Sequence, residues 1–439
     1  MMTSRRNFFK KASAVGALAT FSPVFAKDVE QERIFTVENI ESAAKKVQHL
    51  SPEEAAKDED FWYWVQKAFV QSPNFINLEN GYCSAQPTET MNALFKNIQY
   101  INELPSFYMR RNQQADREEV KKQLAKLAGV TTEEIMITRN TTEALETIIF
   151  GLKTLKEGDE AIMTNQDYGS MLEAFYLRAR RYGSKNVIIS LPLHPKSNKE
   201  IVDCYEKAIT PRTKVILVTH MINLTGQILP VREIAEMAHA KGVEIISDSA
   251  HSFAHIDFKI PDLQCDYFGT SLHKWLSTPL GAGLMYIKRE KIKQVWGLYG
   301  ETGFADDDIR KFERIGTHPC WTNLTISNAI RFHNAIGAKR KEARLRYLKN
   351  YWAEKLQNNP KIILNVPLEA ERSCGLGNVA VKGLSPTQLA DILYDKYRIF
   401  TVGIETEAVK GIRVTPHLYT TLEELDAFVK AMEEIARTS

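Results

Sequence analysis

The sequence has 439 residues, with 57 basic and 54 acidic side chains and a formal charge of +3. That near-balance gives no electrostatic reason to bind nucleic acid or an anionic membrane. An apolar fraction of 44% with 25% charged residues excludes an intrinsically disordered chain. No apolar run reaches the roughly 18 residues that mark a membrane span. Five scattered cysteines, Cys83, Cys204, Cys265, Cys320 and Cys374, form neither a disulfide framework nor a C-x-x-C zinc or redox pair.

In chain order, Ser4-Arg5-Arg6-Asn7-Phe8-Phe9-Lys10 comes first. It resembles the twin-arginine export signal S-R-R-x-F-L-K, with Phe9 in the Leu position. An apolar stretch from Ala12 to Phe25 follows, and Val24-Phe25-Ala26 predicts cleavage before Lys27. The alternative is a basic amphipathic helix on the mature fold. Twin-arginine export carries folded proteins, often with a cofactor inserted, so residues 1–26 imply that translocation machinery as a partner and the periplasm as destination. Without the four basic residues of this stretch the formal charge is −1.

Residues 27–90 read as a helical segment, with a helix starting at Ser51-Pro52-Glu53-Glu54 and a packing cluster at Phe61-Trp62-Tyr63-Trp64. It ends in a short strand and turn over Phe75 to Tyr82. Residues 91–326 read as a large domain. Between about 115 and 290, strand-like runs at 134–138, 160–164, 186–191, 214–219, 243–248, 267–271 and 283–287 alternate with helix-like runs such as 141–152, 170–181 and 231–241. Short apolar strands separated by helices predict an α/β fold, with a mainly parallel sheet in a three-layer domain. Residues 327–439 read as a smaller α+β domain: a long basic helix from Ser327 to Gln357, short strands with Gly turns, and helices at 386–397 and 421–437.

Four motifs place polar residues at the carboxyl ends of predicted strands, where open α/β sheets bind ligands. Thr138-Arg139-Asn140-Thr141-Thr142-Glu143 opens a helix. It is either a phosphate cradle of amides and hydroxyls or a plain N-cap. Asp248, closing the apolar run Ile245-Ile246-Ser247, needs a cationic or hydrogen-bonding partner once buried. A protonated pyridine nitrogen meets that need. A metal held by Asp248, His251 and His255 is the competing reading, with too few ligands. Lys274, in Gly269-Thr270-Ser271-Leu272-His273-Lys274-Trp275, is a Schiff-base nucleophile if desolvated, and otherwise a surface lysine. Asn223, before the turn at Gly226, is either a donor to a phenolate oxygen or a turn residue.

A cradle, an Asp, an Asn and a Lys disposed in this way resemble the pyridoxal-phosphate (PLP) enzymes of fold type I, specifically the class V aminotransferase family, over roughly residues 75 to 430. The resemblance implies pyridoxal 5'-phosphate as cofactor, no metal, and an amino-acid substrate. It implies that Lys274 forms the Schiff base and that Asp248 pairs with the pyridine nitrogen. It places Asn223 and His251 at the phenolic oxygen, Tyr168 on the ring, and Thr141, Thr142, Ser271 and His273 at the phosphate. Arg413, in Gly411-Ile412-Arg413-Val414-Thr415, matches the arginine that takes the substrate carboxylate, and Asn80 is placed with it on the substrate side. Gly316-Thr317 matches a segment that reaches the neighbouring subunit's phosphate, which implies a homodimer with shared sites.

Within the family, desulfurases carry a reactive Cys on a small-domain loop. Here that loop, 397–407, has none. Cys83 and Cys320 are read as structural. The Leu78-to-Pro87 opening, the Pro105-Ser106-Phe107-Tyr108 segment and the run from Gly411 to Tyr419 lean towards the isopenicillin N epimerase-like branch. Transamination or epimerisation is the expected activity. A β- or γ-eliminating lyase and a catalytically silent scaffold are the alternatives.

Overall fold

The computed structural model describes residues 36–438. The export-signal segment lies outside the described residues. The strands are β1 (Ile76–Asn77), β2 (Ile135–Thr138), β3 (Glu160–Thr164), β4 (Lys185–Ile189), β5 (Thr213–Thr219), β6 (Glu244–Asp248), β7 (Tyr267–Ser271) and β8 (Gly283–Ile287), followed by β9 (Ile362–Leu364), β10 (Gly377–Val381), β11 (Ile399–Phe400), β12 (Val402–Glu405) and β13 (Lys410–Val414).

Seven of them form one sheet in the order β2-β8-β7-β6-β5-β3-β4. Only β8 runs antiparallel to its neighbours. Side chains alternate across a strand, and here both faces are covered. Ile216, Val218 and Ile245 pack into one core with Leu124 and Ile234. Val215, Leu217 and Ile246 pack into another with Ile148 and Phe175. A strand buried on both faces reads as a continuous apolar run, which is why these strands were legible. The expected three-layer α/β arrangement is present.

The second sheet is antiparallel, β12-β13-β10-β9. The short β1 pairs in parallel with β11, matching Ile76 to Ile399. A further bridge joins Glu79 to Thr415. The chain before the large domain is thereby tied to the C-terminal part, and it brings residues 79–84 to the mouth of the site.

Two boundaries differ from the sequence reading. The long helix expected from Ser327 to Gln357 is two helices, Cys320–Ile336 and Ala338–Leu356. They break at Gly337, whose φ of +89° is a conformation that a β-carbon disfavours. The expected division at 326/327 therefore falls inside a helix. The division at 90/91 falls inside the helix Thr88–Glu103. The helix Asn198–Ala208, not singled out from sequence, joins β4 to β5. In the aromatic cluster Phe61 and Trp62 are buried and Tyr63 is exposed. The Trp62 indole donates to the Ala55 carbonyl at 2.8 Å.

Candidate active site

The carboxyl ends of β2, β5, β6 and β7 converge on a cavity of about 320 Å³, within the size range of small-molecule sites. Lys274, Asp248, His251 and Asn223 line it, as do Thr141, Thr142, Ser271 and His273. Tyr168 and Arg413 complete the set from a helix N-cap and from β13. Residues from Thr141 to Arg413 thus share one wall.

Asp248 closes β6 and is buried. Its Oδ1 accepts the Ala250 amide at 3.0 Å. Burial pushes its pKa up, although that hydrogen bond and the nearby Lys274 pull the other way. Behind it, burial raises Asp167 to about 7, against hydrogen bonds from Thr164 and Thr219. Asp167 Oδ2 accepts the Thr164 amide at 2.7 Å and Oδ1 accepts the Thr219 hydroxyl at 2.6 Å. Asp167 thus clamps the loop that presents Tyr168. Sequence reasoning missed that role, because a polar residue before a helix start reads as an ordinary cap.

Lys274 follows β7. Its pKa is lowered to about 8, chiefly by burial, with Arg413 acting in the same direction and the charges of Asp248 and Glu79 opposing the shift. Its Nζ lies 3.0 Å from His251 Nε2. Burial also keeps His251 well below the usual histidine range, so it is neutral.

The end of the cavity expected to take a phosphate lies at the N-terminus of the helix Thr141–Gly151. Asn140 caps it, accepting the Glu143 amide at 2.8 Å. Ser271 Oγ accepts the Thr141 amide at 3.0 Å and shares a proton with the Thr141 hydroxyl at 2.6 Å. Thr142, second in the helix, has no carbonyl one turn earlier within the helix to bond, so its amide is free for an anion. His273 Nδ1 faces the Ala282 carbonyl at 3.1 Å and must carry the proton. Burial lowers its pKa to about 4. Neutral His273 therefore offers a lone pair at Nε2, matched to a protonated phosphate oxygen, and becomes a donor there only by gaining a proton.

Two expected site residues lie elsewhere. Asn80 is fully buried outside the cavity lining. Its Nδ2 donates to the Thr415 carbonyl at 2.8 Å, and its Oδ1 accepts the Tyr419 hydroxyl at 2.5 Å. It is a bracket between the opening segment and the loop after β13, with its carboxamide engaged within the chain. Thr317 is exposed and outside its own chain's cavity.

The structure also brings in residues that sequence did not assign. Cys83, read as a buried structural cysteine, lines the cavity together with Tyr82. The segment is pinned there by Ser84, whose amide donates to the His273 carbonyl at 3.3 Å and whose hydroxyl donates to the Lys274 carbonyl. Burial pushes the Cys83 thiol up, so it is protonated at neutral pH. Glu79 pairs with Arg413. His255, the third member of the metal alternative, has both ring nitrogens engaged: Nδ1 with the His251 carbonyl at 2.9 Å, and Nε2 with the Gly375 amide at 2.9 Å.

A family model described as "Aminotransferase class-V" matches residues 82–428. The chain belongs to the class V aminotransferase family. It is 24% identical to an isopenicillin N epimerase of Streptomyces clavuligerus, over 85% of this chain and 98% of that one. It is 30% identical to a probable cysteine desulfurase of Halalkalibacterium halodurans, over 69% and 78%. Among solved structures, a C-DES mutant with glycine covalently linked to its PLP cofactor matches with a TM-score of 0.75 at 20% identity, covering 83% of this chain and 98% of that one. The apo cysteine desulfurase of Thermococcus onnurineus matches at 0.74 and 25%, covering 87% and 98%. The fold is that of the fold type I PLP-dependent transferases.

Pyridoxal 5'-phosphate is the cofactor of this class V enzyme, and the donor set fits it. Asp248 is buried with one amide donor and a raised pKa, so a cationic ring nitrogen would relieve it. The Asn223 carboxamide oxygen is buried without a partner. A carboxamide turns end for end, so its amide is available to a phenolate oxygen. The Thr141–Thr142 helix start and Ser271 would hold the phosphate, and Lys274 would supply the amine.

Proposed function

We propose that this enzyme acts at the α-carbon of an amino acid, as a transaminase or an epimerase of the isopenicillin N epimerase-like branch. One observation carries the reading. Lys274, half-buried, presents an amine with its pKa lowered to about 8, in one cavity with Asp248 and Arg413. When bound, the cofactor withdraws electrons from the α-carbon. The protein's part is positional. Arg413 takes the substrate carboxylate and orients the Cα–H bond. Asp248 holds the charge of the ring nitrogen. Lys274 Nζ takes the α-proton and returns it. His251 hydrogen-bonds that amine.

The match to the S. clavuligerus epimerase spans nearly the whole of that protein, which supports this branch. The absence of Cys from residues 397–407 weighs against a persulfide-forming desulfurase. Cys83 in the cavity favours a second reading, a β- or γ-eliminating lyase. Product analysis on purified holoenzyme with a panel of L- and D-amino acids decides. The keto acid that keeps the substrate's own side chain, or the opposite enantiomer, is expected. Release of ammonia and sulfide with a keto acid that has lost the β- or γ-substituent would replace the proposal with the lyase.

Two further parts belong to this proposal. The enzyme is a homodimer in which Thr317 reaches the partner's phosphate; exposed Tyr82 and Leu280 at the cavity rim, 73% and 64% accessible, give a second copy apolar surface to cover. It is exported folded by the twin-arginine route to the periplasm. No helix among the described residues is long and apolar enough to cross a membrane.

A further inference from the structure

Hydrogen-bond direction around Lys274 carries a consequence beyond the family assignment. The Trp275 indole has one N–H and no acceptor. It donates to His251 Nδ1 at 3.4 Å. A neutral imidazole that accepts at Nδ1 carries its proton on Nε2. That Nε2–H points at Lys274 Nζ, 3.0 Å away. An ammonium has no acceptor, so this contact is satisfied only when Lys274 is the free amine.

We infer that Trp275 is a positioning residue: its indole N–H fixes His251 in the tautomer that donates from Nε2, and this favours the unprotonated form of the Lys274 amine.

The rest of the cluster is built to keep that polarity. Trp275 is fully buried, and its ring lies 3.7 Å from the His255 ring and 5.4 Å from the His417 ring, the latter stacked at 17°. Its carbonyl accepts from Lys341 Nζ. The His255 tautomer is set the same way. The Gly375 amide can only donate, so His255 Nε2 accepts and Nδ1–H donates to the His251 carbonyl. Both the ring and the backbone of His251 are therefore oriented by groups that can act in one direction only. The charged and titratable groups acting on Lys274 are Asp248, Glu79, Cys83 and Arg413. Those acting on His251 are Lys274, Arg413 and His255. Lys341 acts on His255. None of them offers His251 Nδ1 an alternative donor.

Without the indole N–H, His251 can move its proton to Nδ1 and accept at Nε2 from an ammonium. Lys274 then becomes easier to protonate. The inference rests on Lys274 being the reacting amine, yet its readouts come from cofactor-free protein and do not depend on which reaction is catalysed. In ¹⁵N-histidine-labelled cofactor-free protein above about pH 8, where Lys274 is the free amine, His251 is expected to carry its proton on Nε2 alone. In Trp275→Phe a second tautomer appears. The midpoint for modification of Lys274 by an amine-selective reagent then rises by about one pH unit, a roughly tenfold loss of free amine below it. His251→Gln keeps the polarity, since a carboxamide accepts from Trp275 with its oxygen and donates to Lys274 with its nitrogen. Its midpoint should match wild type, and adding Trp275→Phe to it should raise the midpoint. A His417→Phe control keeps a ring against Trp275 and should leave tautomer and midpoint in place. A wild-type His251 protonated on Nδ1 overturns the inference, even if Trp275→Phe does not fold. An unchanged tautomer and midpoint in folded Trp275→Phe overturn it equally.

Discussion

Glu79 grips Arg413 in a two-pronged pair. Arg413 Nε donates to Oε2 at 3.0 Å, and Nη2 donates to Oε1. Arg413 Nη1 donates to the Asn223 carbonyl at 3.1 Å, and Glu79 Oε1 also accepts the Tyr82 amide at 3.0 Å. Three of the guanidinium's five N–H groups are thus committed within the chain. Two remain, enough for the substrate carboxylate that the proposed function assigns to Arg413. Gly81 permits the close fit, since a β-carbon there would lie 3.3 Å from Arg413 Cζ.

The pair sets the first prediction. Both side chains are nearly buried, so Glu79→Ala leaves an uncompensated charge and should cost about 3 kcal/mol in chemical denaturation. It should also raise KM and lower kcat, because the arginine loses its fixed orientation. Arg413→Lys should do the same to the kinetics with a smaller stability loss, since an ammonium cannot make the planar fork. Kinetics indistinguishable from wild type with carboxylate substrates would remove Arg413 from the substrate site.

Asp248→Ala should retain bound cofactor, seen as visible absorbance, and lose about a hundredfold or more in turnover. Binding survives through Lys274 and the phosphate end. The rate falls because nothing else on the cavity wall balances a charged ring nitrogen. Near-normal turnover in this variant contradicts the assignment.

The fold and most of the site were legible because each rests on a local pattern. Apolar runs marked the buried parallel strands, and Asp248, Ser271 and Thr141 lie at strand ends or helix starts. The rest depends on contacts between distant segments. Glu79 meets Arg413 from 334 positions away, and no periodicity in the opening segment announces it. Asn80 was expected on the substrate side from the resemblance, whereas its amide is consumed by Thr415 and Tyr419. Gly337 was absorbed into a helix because the apolar and basic pattern continues on both sides of it, while its positive φ is a backbone property.

The free amine of Lys274 gives a pH prediction. Cofactor capture by cofactor-free protein requires the unprotonated amine, so its rate should rise with pH and level off above about 8. An ordinary lysine would carry the rise towards about 10.4. Stability follows by linkage. The unfolded chain binds this proton more tightly than the folded one, so the Lys274 contribution is unfavourable below about 8 and is recovered as pH rises through the window up to the unfolded value. Cofactor-free Lys274→Met should therefore be more stable than wild type at pH 7, by about 1–2 kcal/mol. The difference should shrink by pH 10. Denaturation of both proteins at the two pH values checks the sign.

The central claim is that Lys274 moves the α-proton of an amino acid. Holoenzyme incubated in deuterium oxide with individual L- and D-amino acids, followed by NMR of the Cα–H signal, tests it most directly. The expected result is deuterium at the α-carbon of the accepted amino acid, faster than the spontaneous rate, and none with Lys274→Ala. A Cα–H that stays protonated across the whole panel, or exchange that persists undiminished in Lys274→Ala, would contradict the account.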